Sequence, residues 1–263
     1  GIDAAGTVFK SNSKKFKVGE KVAIIARPLG IKSPGGFSEF VTVPFNWLTK
    51  LPKNITTKKS MILGTAGFTA MFAINLLISF GLKKSKLPVL VTGATGGVGV
   101  YSIIFLKKMG FTVHASTTRS NKNNFLKKIG VKEIILHNKF SKMSDMPLLN
   151  KRYAGIIDNV GGNFIFEGSK QLIENGIIAS IGNVAGDKTT LSLMPLILRG
   201  VKILGINAES ASLKERSKIW KFISKYSKNI FSTVIYKEHD FKNIDKLIKS
   251  YKNLYGRNII SIK

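Results

Sequence analysis

The stretch Val89-Leu90-Val91-Thr92-Gly93-Ala94-Thr95-Gly96-Gly97-Val98-Gly99 decides the fold. An apolar, β-branched run enters a loop with four glycines, and an apolar-rich segment over residues 100–109 leaves it and closes on Gly110. That pattern is strand, tight turn and helix, with Gly110 as the helix C-cap. Such a turn suits an anion. Glycines let the backbone approach closely, and the N–H groups that open a helix have no intrahelical acceptor. A second strand, residues 111–116, follows at βαβ spacing, so the loop is expected to hold the pyrophosphate of a dinucleotide.

Outward from the loop, strands and helices alternate. A helix over 68–80 precedes it. After it come strand 111–116, helix 121–129, strand 133–137 and strand 154–157, the last running into Asp158-Asn159-Val160-Gly161-Gly162. Helix 164–174, strand 177–181, helix 193–198 and strand 201–206 complete the series. The pattern predicts an α/β protein with a doubly wound parallel sheet whose ligands bind beyond the carboxyl ends of the strands, at Thr92, Ser116, Asp158, Ile181 and Ile206. Residues 1–60 read differently, as short strands over 1–9, 21–26 and 37–43 joined by glycine turns, which is the mark of a small barrel-like domain. After an amphipathic helix over 213–226, strand 232–236, helix 241–251 and strand 259–262 read as a return to that first domain. The expected division is therefore 1–60, 61–207 and 208–263.

Charge points to the cofactor. An NAD-binding sheet of this kind usually ends its second strand in Asp or Glu, which bonds the adenosine ribose 2′-hydroxyl. Here that position reads Ala115-Ser116-Thr117-Thr118-Arg119-Ser120, and no Asp or Glu occurs between Glu39 and Glu133. A carboxylate repels a 2′-phosphate, whereas an arginine offers it a fork of donors. NADPH is expected over NADH.

Composition removes other classes. The chain has no cysteine, which excludes disulfides, thiolate catalysis and zinc–thiolate sites, and His114, His137 and His239 match no ligand spacing, so no metal is expected. The 263 residues are 44% hydrophobic with a mean hydropathy of +0.10, as in a folded protein. The formal charge of +28 comes mostly from lysines spread over every segment, and no recognised nucleic-acid module accompanies it. Residues 61–82 are uncharged and long enough to cross a bilayer. Gly64, Thr65, Gly67, Thr69, Asn75, Ser79 and Gly81 interrupt them, so a buried turn at 63–67 and a core helix are expected, with no membrane partner. The opening residues carry no signal-peptide pattern, and a cytoplasmic protein is expected.

With these motifs in hand, the chain resembles the medium-chain dehydrogenase/reductase superfamily. Within it the resemblance is to the zinc-independent quinone-oxidoreductase-like branch that includes NADPH-dependent acryloyl-CoA reductases. The matching segments are Gly1-Ile2-Asp3-Ala4-Ala5-Gly6, Gly64-Thr65-Ala66-Gly67-Phe68-Thr69-Ala70, the glycine loop, Asp158-Asn159-Val160-Gly161-Gly162, Leu196-Ile197-Leu198-Arg199-Gly200-Val201 and Gly256-Arg257-Asn258. The resemblance implies a Rossmann sheet plus an incomplete GroES-like β-barrel catalytic domain, from which the family's N-terminal stretch is absent, so a longer chain is expected. It also implies that Thr95, Gly96, Gly97 and Val98 hold the pyrophosphate and that Thr117, Thr118 and Arg119 hold the 2′-phosphate. Asn159, Ile181, Gly182, Asn183, Ile203 and Ile206 would line the nicotinamide half, and Arg257 would reach in from the returning tail. The implied reaction is metal-free hydride transfer to an enoyl thioester such as acryloyl-CoA, in a homodimer. Reduction of a quinone or enone is one alternative, and an idle NADPH- or nucleic-acid-binding protein is another. The sequence names no proton donor; Asp158 ends a strand at the crevice but reads as structural.

Overall fold

The structure, a computed structural model, describes residues 1–137, 145–250 and 254–262. In chain order the elements are β1 (Ala4–Thr7), β2 (Lys21–Ile24), β3 (Thr49–Lys50), α1 (Thr57–Ser79), β4 (Val89–Val91), α2 (Gly97–Lys108), β5 (Val113–Thr117), α3 (Asn123–Lys128) and β6 (Glu133–Leu136). They continue as β7 (Tyr153–Asp158), α4 (Asn163–Ser169), β8 (Leu172–Ser180), α5 (Met194–Arg199), β9 (Lys202–Gly205), α6 (Leu213–Tyr226), α7 (Ile230–Thr233), β10 (Tyr236–Asp240), α8 (Ile244–Lys249) and β11 (Arg257–Ser261). The chain divides into one unit of Gly1–Phe68 with Ala208–Lys263 and a second of Thr69–Asn207.

The second unit is the doubly wound sheet. Its six strands run in the order β6-β5-β4-β7-β8-β9, and every pairing is parallel. Burial explains why β4 and β7 lack polar alternation, since all nine of their residues are buried, as parallel strands covered on both faces must be. Leu90, Ile156, Phe164, Leu172, Ile178 and Val201 close a core on one face. The order reverses between β4 and β7, and that reversal places the glycine loop at the switch point.

The first unit contains the antiparallel sheet β1-β2-β3 and the parallel pair β10-β11. Two of the sequence motifs meet here. The Asp3 carboxylate accepts the Thr65 N–H at 2.7 Å and the Thr65 hydroxyl at 2.6 Å, and Thr65 Oγ1 accepts the Ala26 N–H at 3.0 Å. Ala26 sits at φ 48°, a strained value for a residue with a Cβ. Arg216 holds it from the other side. Fully buried on α6, its guanidinium donates to the carbonyls of Ile25 (2.7 Å), Ala26 (2.5 Å) and Ala208 (3.2 Å) and lies 4.8 Å from the Phe68 ring centroid. Burial pushes its pKa down to about 10, which leaves it charged at neutral pH.

Several expected elements differ. The helix expected over 68–80 is one turn-broken helix from Thr57, interrupted at Gly64 (φ 53°, ψ −162°), so the unit boundary falls inside α1. By length and composition α1 could cross a membrane, yet two thirds of its apolar window is buried inside the protein (67%), as in a core helix. The alternating residues 37–43 form no strand; they are largely exposed, and among the described residues no strand pairs with them. Helix 164–174 stops at Ser169 because Leu172 already pairs with Tyr153 at the start of β8. Arg199 fixes the change by donating to the carbonyls of Lys170 and Leu172. Strand 232–236 is instead the short helix α7 followed by β10, and helix 241–251 is a 3₁₀ turn followed by α8, its last residue lying outside the described residues.

Candidate functional site

β4 delivers the chain to Thr92 and then to Gly93, whose φ of 56° turns the backbone back over the strand ends. Gly96 donates its N–H to Gly93 O at 2.9 Å, and the first intrahelical bond of α2 runs from Val100 N–H to Gly96 O, also at 2.9 Å. The N–H groups of Gly97, Val98 and Gly99 precede that bond and are left for a ligand. No side chain caps Gly96, and Gly96 and Gly97 are exposed. The third glycine has a different task. A Cβ on Gly99 would stand 2.5 Å from Gly93 O and 2.8 Å from Ala94 Cα, so only glycine lets the helix sit this close to its own turn.

Next in the sheet, β5 ends at Thr117, whose hydroxyl lies 3.4 Å from that of Thr95 and accepts the Arg119 N–H at 3.0 Å. Thr118 and Arg119 are exposed, and the Arg119 guanidinium has no hydrogen bond or ion pair among the described residues. On the other side of β4, Asp158 ends β7. It is buried, and its carboxylate accepts the Thr92 hydroxyl (2.5 Å) and the N–H groups of Gly161 (2.8 Å) and Val160 (3.3 Å). Burial raises its pKa, and these three bonds oppose the rise. Fully enclosed by its own turn, Asp158 ties two strand ends together and has no free face for acid catalysis. Asn159 reinforces the tie, donating its N–H to Thr92 Oγ1 at 3.0 Å and its amide to Thr92 O at 2.8 Å.

The loop residues, Thr117 to Arg119, Asn159, Ile181, Gly182, Asn183 and Ile206 thus all lie at the carboxyl edge of one sheet. Ile181 and Gly182 donate to Asp158 O, and Ile206 donates to Ser180 O. Ile203 does not share that edge: it pairs with Ile178 inside the sheet and packs on the core. Arg257 belongs to the other unit, where its Nε donates to Ile62 O at 3.1 Å. The Thr92–Asp158 tie escaped the sequence reading, though a Thr and an Asp ending adjacent parallel strands were its signal.

The exposed glycines, three N–H groups with no intrahelical acceptor and an arginine with no ion pair among the described residues fit a phosphorylated dinucleotide. Zinc is not fitted. There is no cysteine, and among the described residues no three His, Asp or Glu side chains cluster. His114 meets Glu133 at 3.1 Å, His239 meets Asn258 at 2.9 Å and His137 lies on Phe164, so no two histidines share a site.

A glycine loop at the switch point of a doubly wound sheet defines a dinucleotide-binding fold. The family model described as zinc-binding dehydrogenase matches residues 97–225. The putative quinone oxidoreductase YhfP of Bacillus subtilis is 38% identical over 224 residues, covering 85% of this chain and 68% of the relative. Its structure with NAD bound superposes with a TM-score of 0.94 at 34% identity, covering 100% of this chain and 80% of that one. The probable acrylyl-CoA reductase AcuI of Escherichia coli is 30% identical over 264 residues, covering 100% of this chain and 81% of the relative. The yhdH oxidoreductase of Salmonella enterica, solved in complex with NADP, gives a TM-score of 0.93 at 31% identity, covering 100% of this chain and 81% of that one. The chain belongs to the zinc-independent branch of the medium-chain dehydrogenase/reductase family.

Proposed function

We propose that the protein uses NADPH to reduce an activated carbon–carbon double bond, with acryloyl-CoA as substrate. The observation that carries the cofactor assignment is Arg119, an unpaired guanidinium at the end of the second strand where an NAD site would place a carboxylate. The loop N–H groups of Gly97, Val98 and Gly99 orient the pyrophosphate, Thr95 and Thr117 flank it, and Thr118 and Arg119 hold the 2′-phosphate. Asn159, clamped on Thr92, presents a rigid wall at the β7 end, and Ile181, Gly182, Asn183 and Ile206 extend it. When bound, the cofactor supplies the hydride; the chain's part is to fix its position and exclude alternatives.

Replacing Arg119 with alanine is expected to cost about one to two decades of NADPH preference over NADH, because a charge-assisted hydrogen bond contributes about 1.5–3 kcal/mol. An unchanged preference ratio sinks the NADPH assignment. The substrate rests on the likeness to the acrylyl-CoA reductase relative, while the likeness to the quinone oxidoreductase relative favours a quinone as the second reading. Following NADPH oxidation with each substrate separates the two. A kcat/KM at least about tenfold higher with acryloyl-CoA is expected, since binding the rest of that substrate contributes to its transition state. Turnover with the quinone alone moves the assignment to the second reading, and cofactor binding without turnover of either marks a non-catalytic protein.

A further inference from the structure

The strands of the parallel sheet begin at the edge opposite the glycine loop, and the turns that enter three neighbouring strands there are rich in lysine. Lys83, Lys84 and Lys86 lie in the turn that leads into β4. Lys107 and Lys108 close α2 ahead of β5, and Lys127 and Lys128 close α3 ahead of Lys132 and β6. All eight are exposed. Because β4, β5 and β6 are consecutive in the sheet, about 5 Å apart, their three entrances stand in one row. Two close approaches join them. Lys84 lies over the turn that ends α2, where a Cβ on Gly110 would stand 3.1 Å from its Nζ. Lys107 lies over the turn that ends α3, where a Cβ on Gly130 would stand 2.9 Å from its Cγ. The row carries no acid. The first carboxylate after Glu39 is Glu133, which is already met by His114 at 3.1 Å and Arg152 at 3.5 Å. Helix polarity explains only part of this charge: lysines in a last turn offset the partial negative charge there, but Lys83, Lys84, Lys86 and Lys132 lie outside the helices. Beside the lysines stand two apolar side chains that the fold leaves outside. Ile78 in the last turn of α1 and Phe80 just after it are 43% and 50% exposed, while Leu82, between Phe80 and Lys83, is buried.

We infer that this edge docks on the surface of an anionic lipid bilayer, with the lysines on the headgroup phosphates and carboxylates and with Phe80 and Ile78 in the interfacial layer. The contact is peripheral: α1 stays in the core, and only its end reaches the lipid. Lysines draw a protein to a negative surface, each strengthening binding about fivefold, and an apolar side chain beside them adds a contact that salt does not screen. A nucleic-acid strand would meet the same charges, but it offers no apolar layer for Ile78, which cannot stack on a base as an aromatic ring does. The glycine loop lies at the opposite edge of the sheet, so docking leaves it open.

The test measures co-sedimentation of the full chain with vesicles of phosphatidylcholine alone and of phosphatidylcholine with about 30% phosphatidylserine. The wild type is expected to bind the mixed vesicles only, and less as salt rises. The triple variant Lys83→Gln, Lys84→Gln, Lys86→Gln is expected to bind them about a hundredfold more weakly. The triple variant Lys214→Gln, Lys221→Gln, Lys225→Gln on α6 is expected to lose less than about threefold, since its lysines lie off the docking edge. Both lose the same net charge, so the difference reads the edge and not the overall field. Phe80→Ser is expected to lose about threefold to tenfold, a loss that persists at high salt. Thermal unfolding of all three variants is expected to match the wild type, which separates lost docking from lost folding. Equal losses in the two triple variants, or no binding of the wild type to the mixed vesicles, overturn the inference. If the wild type ignores the vesicles but binds a single-stranded oligonucleotide through Lys83, Lys84 and Lys86, the edge serves nucleic acid and the bilayer assignment falls.

Discussion

Alanine at Gly99 is expected to weaken NADP⁺ binding by about two to four decades and to cost about 1–3 kcal/mol of stability. The added Cβ meets Gly93 O at 2.5 Å, Ala94 Cα at 2.8 Å and the Ala94 carbonyl carbon at 3.0 Å. All three are backbone atoms, so no side chain can swing aside; the turn itself must move away from the helix. That turn is the cradle. Moving it misaims the N–H groups of Gly97, Val98 and Gly99 together, and losing two bonds to a charged phosphate at about 1.5–3 kcal/mol each gives the stated range. Gly6→Ala serves as the control, since a Cβ there meets nothing within 4 Å. Calorimetric titration with NADP⁺ and thermal unfolding of both variants check it. Wild-type affinity in Gly99→Ala would falsify the placement of the pyrophosphate.

The same glycine shows why this half of the molecule was legible in the sequence. Four glycines between a β-branched run and an apolar helix can do little else, because the turn at Gly93 (φ 56°) and the close approach at Gly99 both disfavour a residue with a Cβ. The helix α6 was legible for a similar reason: Ser212 and Glu215 form a reciprocal capping box that marks its start locally. Elements that depend on a distant partner were not. Residues 37–43 alternate as a strand should, but alternation records only which residues could face a core, not whether a neighbouring strand exists. The segment after Ser169 has helical composition, yet parallel pairing with β7 and the reach of Arg199 onto the carbonyls of Lys170 and Leu172 make it a strand. Arg216 was invisible for the same reason. A lone arginine in an amphipathic helix reads as solvated until the carbonyls of Ile25, Ala26 and Ala208 are seen around it. The site divides likewise: the loop and Arg119 follow from residue type and spacing, whereas the displacement of Ile203 into the core needs the register of β9 against β8.

Removing the Asp158 carboxylate is expected to be the most destabilising change in the second unit, about 3–5 kcal/mol for Asp158→Ala. Three donors converge on it, the Thr92 hydroxyl and the N–H groups of Val160 and Gly161, in a place water does not reach. Each buried donor left unsatisfied costs about 1–3 kcal/mol, and partial relaxation keeps the sum below the maximum. The damage spreads, because Thr92 also accepts the Asn159 N–H and the turn passes through Gly161 (φ 74°) and Gly162 (φ 56°). Asp158→Asn keeps one acceptor and is expected to cost less. The two variants also separate the carboxylate's charge from its bonds. Its folded pKa is raised by burial above the ordinary 3.8, so the fold favours the protonated form. The stability this contributes is complete below the unfolded value and is lost as pH rises through the raised folded value. The stability advantage of wild type over Asp158→Asn should therefore shrink as pH rises above about 4, the ordinary carboxylate value, towards neutrality. Urea unfolding of both proteins across that range measures it. An advantage that grows with pH would mean that the three donors favour the ionised carboxylate more than burial penalises it, and the turn would then be an anion site in its own right.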